Sequence, residues 1–266
     1  MTEKIKLAVI GSPVGHSLSP FIHRRFAETL GLDIEYEKRE VTSETLEAFI
    51  AEARRGGLRG FNVTMPLKKA VLPYLAERDD ISLECGAVNT VVSRDGGLSG
   101  HNTDGLGIIR SLKSKIPELR GLKALILGGG GLANIESAAL RREGASASPV
   151  VRENSLAHVL PWAKIARLAA ESDIIINATP LGMARGADTE EFAELTWLDG
   201  VRRDAVVFDA VYKPSDTRLL LEARRRGITA LGGLGMLVYQ AEEAFRLFTG
   251  AEPPPSAAGD IIAELG

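Results

Sequence analysis

Residues 123–133 read KALILGGGGLA. Ala124–Leu127 form a short apolar run with the length of a buried strand. Four consecutive glycines, Gly128, Gly129, Gly130 and Gly131, follow at once, and LANIESAALRREG (132–144) then has the spacing of a helix. A strand that passes through glycines into a helix opens a parallel α/β unit. The glycines allow a tight turn and let backbone amides at the start of the helix approach a pyrophosphate. The spacing is G-x-G-G rather than the full G-x-G-x-x-G, so a plain strand-to-helix turn competes with the dinucleotide reading.

Working outward, the same rhythm recurs on both sides. Upstream, KLAVIG (6–11), IEYEKREV (34–41), LRGFNVT (58–64) and AVNTVV (87–92) read as strands. SPFIHRRFAETLG (19–31), TSETLEAFIAEARRGG (42–57) and DGLGIIRSLKSK (104–115) read as helices. Downstream come strands at SASPVV (146–151), DIIINATP (173–180) and AVVFDAVY (205–212), and helices over about 155–171 and at TRLLLEARRRG (217–227). Alternation of this kind predicts an α/β fold of parallel sheets covered by helices on both faces. AEPPPSAAG (251–259) is the only biased stretch and leads into a short terminal helix.

The restart at Lys123 implies two domains. Residues 1–104 with 238–266 form one, because the long apolar-spaced segment GMLVYQAEEAFRLFTG (235–250) can cross back to it. Residues 105–237 form the second, a Rossmann-like dinucleotide-binding domain, with a cleft expected between the two. The chain of 266 residues is long enough for two real cores.

Composition excludes several classes of function. A formal net charge of -3 gives no electrostatic case for nucleic acid. No apolar run is long enough for a membrane helix, and the charged start with its short apolar run reads as a strand rather than a secretion signal. The single cysteine, Cys85, cannot form an internal disulfide, which points to a cytoplasmic protein. His16, His23, His101 and His158 show no metal-ligand spacing, so no metal is expected. The expected partner is a small molecule, and the protein is expected to be a monomer or homodimer.

Polar residues gather at the ends of the predicted strands. GFNVTMPLK (60–68) puts Asn62 and Thr64 at a strand end and Lys68 just after it. GHSLSP (15–20) places Ser17 and Ser19 on a turn before a helix, where they either cap it or hold a carboxylate near its positive end. GAVNT (86–90) supplies Asn89, and GHNTDG (100–105) supplies Asn102 and Asp104, an Asn-Thr-Asp that taken alone reads first as a helix cap. NATPLGM (177–183) closes an apolar strand with a polar turn, a floor for a nicotinamide. Arg152 and Glu153, after the strand that follows the glycines, argue opposite ways at an adenosine ribose. An arginine suits a 2′-phosphate and an acid suits a free 2′-hydroxyl.

Together GSPVGHSLSP, GFNVTMPLK, GAVNT, GHNTDG, GGGGLA, NATPLGM, DAVYKPSDTRLL (209–220) and GLGMLVYQA (233–241) resemble the shikimate dehydrogenase family, in the family's order and over most of the chain. The resemblance implies a two-domain enzyme that interconverts 3-dehydroshikimate and shikimate with NADP, NAD being the alternative. It implies Lys68 and Asp104 as the catalytic pair and Ser17 and Ser19 on the substrate carboxylate. Asn62, Thr64, Asn89, Asp104, Tyr212 and Gln240 would surround the ring. It also implies Gly128–Gly131, Leu132, Arg152, Asn177, Ala178, Thr179, Met183, Val211 and Gly235 as cofactor contacts.

Departures from the family pattern are Arg24 for a usual asparagine, Leu132 and Asn134 after the glycines, and Val151-Arg152-Glu153 in place of Asn-Arg-Thr. The competing readings are an NAD-dependent quinate/shikimate dehydrogenase and a catalytically idle relative that binds a nucleotide.

Overall fold

The computed structural model describes residues 4–151, 160–183 and 195–266. They form two compact units. The first joins the described residues up to Leu106 to Val238–Leu265, and the second runs from Gly107 to Leu237.

In the first unit the elements run β1 (Ile5–Gly11), α1 (Ser19–Leu30), β2 (Ile34–Glu40), α2 (Leu46–Arg54), β3 (Gly60–Val63) and α3 (Leu67–Ala70). They continue with β4 (Glu77–Arg78), α4 (Asp80–Cys85), β5 (Thr90–Arg94), β6 (Gly97–His101) and the start of α5 (Asp104–Lys113). The sheet order is β2-β1-β3-β5-β6-β4. β1 pairs in parallel with β2 and β3, as the alternation predicts. From β3 onward the expectation of a purely parallel sheet fails: β3–β5 and β5–β6 are antiparallel. The β5–β6 pairing turns on Asp95-Gly96, a two-residue connection with φ of 52° and 77° at its two positions. Positive φ at both central residues is the hairpin turn that matches strand twist, so the chain folds straight back.

β1 is buried on both faces, and its alternate residues join separate clusters. Ala8 and Ile10 pack with Phe49 and Ile50 of α2, Phe61 and Leu67. Leu7 and Val9 pack with Tyr36 and Phe248. This two-sided burial explains why β1 reads as an unbroken apolar run, whereas β2, paired only with β1, is mostly charged.

The second unit continues α5 with β7 (Lys123–Leu127), α6 (Gly131–Arg142), β8 (Ser146–Val151), β9 (Leu160–Pro161), α7 (Ile165–Ala170) and β10 (Ile174–Asn177). Then come β11 (Val206–Asp209), α8 (Arg218–Arg225), β12 (Thr229–Gly232) and the start of α9 (Leu234–Thr249); α10 (Ala257–Leu265) follows in the first unit. All pairings in its sheet are parallel, in the order β12-β11-β10-β7-β8-β9. Counted from β7, that is 3-2-1-4-5-6, the order of doubly wound dinucleotide-binding sheets. Leu125, Leu127, Ile175 and Val207 pack with Ile165, Ala169, Leu219 and Ala223 on one face. The alternate residues Ile126, Ile174, Ile176 and Phe208 are equally buried.

The helix expected over about 155–171 is corrected where it is described. Leu160–Pro161 is a strand paired to β8, a 3₁₀ turn covers Trp162–Lys164, and only Ile165–Ala170 is α-helical. Pro161 lacks the N–H an inner helical turn needs and disfavours helical geometry at Leu160. No helix among the described residues is long and apolar enough to cross a membrane.

Candidate active site

Lys68 sits on the single turn of α3, anchored by the fully buried Leu67 beside it. Its ammonium Nζ donates to Asp104 Oδ2 at 2.6 Å. Asp104 opens α5, and its own N–H is received by Asn102 Oδ1 at 3.1 Å. The lysine side chain keeps 27 % of its surface exposed and the aspartate 10 %, so the pair is half-sheltered yet reachable.

The other carboxylate oxygen, Asp104 Oδ1, accepts from Asn89 Nδ2 at 2.9 Å. Asn89 is buried between Thr90, Thr103 and Gln240. Its Oδ1 receives the Thr103 N–H at 2.9 Å and lies 3.0 Å from Thr90 Oγ1, and its Nδ2 reaches Thr103 Oγ1 at 3.0 Å. Gln240 Oε1 lies 3.2 Å from the Thr103 hydroxyl. Asn62, at the end of β3, donates to Asn89 O at 3.2 Å and to Thr90 Oγ1 at 3.0 Å, and accepts from Tyr36 Oη at 2.6 Å. Lys68, Asp104, Asn89, Asn62 and Gln240 are thus one hydrogen-bonded cluster.

Ser17 and Ser19 are paired with each other, Oγ to Oγ at 3.1 Å, and Ser17 Oγ also accepts the Ser19 N–H at 3.2 Å. Ser19 begins α1, whose N-cap residue Leu18 offers no side-chain acceptor. Ser17 therefore does the capping, and both hydroxyls stand at the positive end of the helix. Thr64 follows β3, and Tyr212 follows β11 in the second unit. Burial raises the Tyr212 phenol above its ordinary value.

Three cluster members escaped the sequence reading: Tyr36, Thr90 and Thr103. Thr90 and Thr103 sit inside the quoted motifs, each beside a residue singled out there. Tyr36 was legible only as the apolar-facing position of a charged strand.

In the second unit Gly128 has φ 118°, and a side chain there would press on Thr179 at 3.0 Å. Gly130 is the N-cap of α6 and Gly131 its first residue. A Cβ at either would meet no atom within 4 Å, so the first amides of a 12-residue helix border open space. Those amides lack intrahelical acceptors, and the residues fit a nucleotide pyrophosphate. Gly129 and Leu132 belong to the same turn.

Asn177 is committed internally. Its Nδ2 donates to Asp209 Oδ1 at 2.9 Å and Leu181 O at 3.1 Å, and its Oδ1 accepts from the Thr179 N–H and hydroxyl. It shapes the Ala178–Met183 turn, on which Met183 is 44 % exposed. Asp209 also receives Val211 N–H and Thr217 Oγ1, and burial raises its pKa above the ordinary carboxylate value. Gly235 lies in the first turn of α9. Arg152 and Glu153 lie outside the described residues.

Comparison with known proteins finds relatives over most of the chain. Residues 9–91 match the family model described as the shikimate dehydrogenase substrate binding domain, and residues 233–258 match that of the shikimate 5'-dehydrogenase C-terminal domain. The chain is 42 % identical to the shikimate dehydrogenase (NADP(+)) of Thermococcus kodakarensis, over 92 % of this chain and 91 % of that one. It superposes on the shikimate 5-dehydrogenase of Thermus thermophilus in complex with NADP(H) and shikimate with a TM-score of 0.86 and 34 % identity, covering 98 % of this chain and 100 % of that one. The enzyme of Listeria monocytogenes in complex with shikimate and NAD gives a TM-score of 0.86 at 33 % identity, covering 100 % and 97 %. The chain belongs to the shikimate dehydrogenase family.

Proposed function

We propose that this chain reversibly reduces 3-dehydroshikimate to shikimate with NADP as its cofactor, using Lys68 and Asp104 as the catalytic pair. The observation that carries the reading is the 2.6 Å contact between Lys68 Nζ and Asp104 Oδ2 in a chain whose curated relatives are named for that activity.

The first unit is the substrate-binding and catalytic part. Reduction of a ketone builds negative charge on its oxygen, which must be stabilised and then protonated. Lys68 donates a hydrogen bond and then a proton at that oxygen. Asp104 holds the ammonium in place with one carboxylate oxygen and a ring hydroxyl of the substrate through its remaining lone pairs. Ser17 and Ser19 take the substrate carboxylate at the N-terminus of α1, where the helix dipole favours an anion. Asn62, Thr64, Asn89 and Gln240, with Tyr212, complete the polar wall around the ring.

The second unit holds the dinucleotide. Gly128–Gly131 and Leu132 take the pyrophosphate, Arg152 the 2′-phosphate, and Ala178, Thr179, Met183, Val211 and Gly235 the nicotinamide end, with Asn177 holding their turn. When bound, the nicotinamide supplies the hydride. The lone thiol Cys85 supports a reducing, cytoplasmic setting. An NAD-linked reaction is the second reading, favoured by Glu153 beside Arg152 in the sequence.

Assaying the purified protein with shikimate and with quinate, each with NADP and with NAD, tests this reading. The expected result is fastest turnover with shikimate and NADP; turnover only with quinate and NAD would replace it.

A further inference from the structure

The buried polar groups behind the Lys68–Asp104 pair form a series of hydrogen bonds bounded at both ends by groups that only accept. At one end stands the backbone carbonyl of Asn89, which only accepts, so the Asn62 side-chain amide must face it with Nδ2 at 3.2 Å. The other hydrogen of that Nδ2 goes to Thr90 Oγ1 at 3.0 Å. At the far end stands the Asp104 carboxylate, also acceptor-only when ionised, so Asn89 must face it with Nδ2 at 2.9 Å and turn its Oδ1 away.

That leaves Thr90 between an amide that donates to it and a carbonyl oxygen 3.0 Å away that can only accept. Its single hydroxyl proton goes to Asn89 Oδ1 at 3.0 Å, a shorter contact than the 3.5 Å to Thr103 Oγ1. Asn89 Oδ1 also accepts the Thr103 N–H at 2.9 Å, and the Thr103 hydroxyl lies 3.2 Å from both it and Gln240 Oε1. Tyr36 starts the series by donating to Asn62 Oδ1 at 2.6 Å. Every donor in the sequence Tyr36, Asn62, Thr90, Asn89 therefore points toward Asp104. Such one-way chains polarise one another, and Tyr36, Asn62, Thr90 and Asn89 are all buried.

We infer that Thr90 is a positioning residue for the catalytic pair, the joint that transmits a fixed amide orientation from Asn62 to Asn89 and so sets the carboxylate that holds Lys68. Thr90 touches neither Lys68 nor Asp104 by a hydrogen bond of its own and acts through Asn89. The inference rests on the reading of Lys68 and Asp104 as the catalytic pair.

Thr90→Val keeps the shape and deletes the hydroxyl; Thr90→Ser keeps the hydroxyl and deletes the methyl. Turnover of shikimate with NADP, measured well below each variant's melting temperature, is expected to fall about 10-fold or more in Thr90→Val and to stay within about 2-fold in Thr90→Ser, the scale on which small misplacement of reacting groups acts. Placing Thr90→Val in an Asp104→Asn background separates positioning from packing: the extra loss should largely vanish, because coupled residues are not additive. Equal losses in Thr90→Val and Thr90→Ser, or a full additional loss in the Asp104→Asn background, would overturn the inference. Near-wild-type turnover in Asp104→Asn alone would overturn it by a different route, by removing the catalytic pair itself.

Discussion

The Asp104 carboxylate is held from two sides, by Lys68 Nζ on Oδ2 at 2.6 Å and by Asn89 Nδ2 on Oδ1 at 2.9 Å. Both neighbours are donors and only one is charged. Of the ion pair, the lysine is the more exposed, its side chain at 27 % against 10 % for the aspartate. The proposed mechanism gives reaction to the lysine and alignment to the aspartate.

Asp104→Asn should accordingly damage turnover and substrate affinity together. The amide cannot accept from Asn89 and Lys68 as an ionised carboxylate does, and one neighbour must lose its partner. Steady-state kinetics with shikimate check this. A variant that changes only the Michaelis constant would show that Asp104 binds without aligning the lysine.

The serine pair separates recognition from capping. Ser17 receives the Ser19 N–H, so Ser17→Ala should cost about 1 kcal/mol of stability, the usual value of a lost cap. Changing Ser17 and Ser19 together to Ala should also raise the Michaelis constant for shikimate well beyond what that stability loss explains. A double variant that is less stable but binds shikimate normally would leave capping as their whole role.

His23 gives a pH signature of the fold. Its ring is fully buried 4.7 Å from that of Tyr36, and burial pushes its pKa down to about 3 from 6.5. Between those values the unfolded chain binds a proton that the native ring refuses. This contribution is complete above pH 6.5 and is lost on acidification, at about 1.4 kcal/mol per pH unit. Denaturant unfolding at pH 7.5 and pH 5.0 should show wild type losing about 2 kcal/mol more than His23→Phe. Equal losses in the two proteins would place the native ring's titration near its unfolded value.

Arg152 follows the last residue of β8, the strand after the glycine turn. Arg152→Ala is expected to weaken NADP binding by roughly 1.5 to 3 kcal/mol, the scale of a charge-assisted hydrogen bond, with little change for NAD. Titration of both proteins with both cofactors decides it. A wild type that prefers NAD would make Glu153 the ribose reader.

Local pattern carried much of the fold. The apolar runs of β1, β7, β10 and β11 are legible because strands buried on both faces confine polar residues to their ends. The β5–β6 hairpin was missed, although Asp95-Gly96 is the residue pair such a two-residue turn favours. The false helix near residue 160 came from following apolar spacing through Pro161. In the site, Asn62 and Lys68 stood out as polar residues around a buried strand end, whereas the roles of Asn89 and Asp104 came from the family resemblance. Thr90 and Tyr36 did not stand out, since a threonine in a strand and a tyrosine on an edge strand are ordinary there. Their importance lies in which atom donates to which, and that becomes visible only when distant strands are brought together.

The most direct test of the account is turnover and shikimate affinity in Lys68→Ala. A proton donor acting at the reacting oxygen contributes chiefly in the transition state, typically on the order of 100- to 10,000-fold in rate. The account predicts a loss of turnover in that range, with shikimate binding, measured by titration of the NADP-saturated enzyme, unchanged to within a few-fold. Near-normal turnover in Lys68→Ala would contradict it.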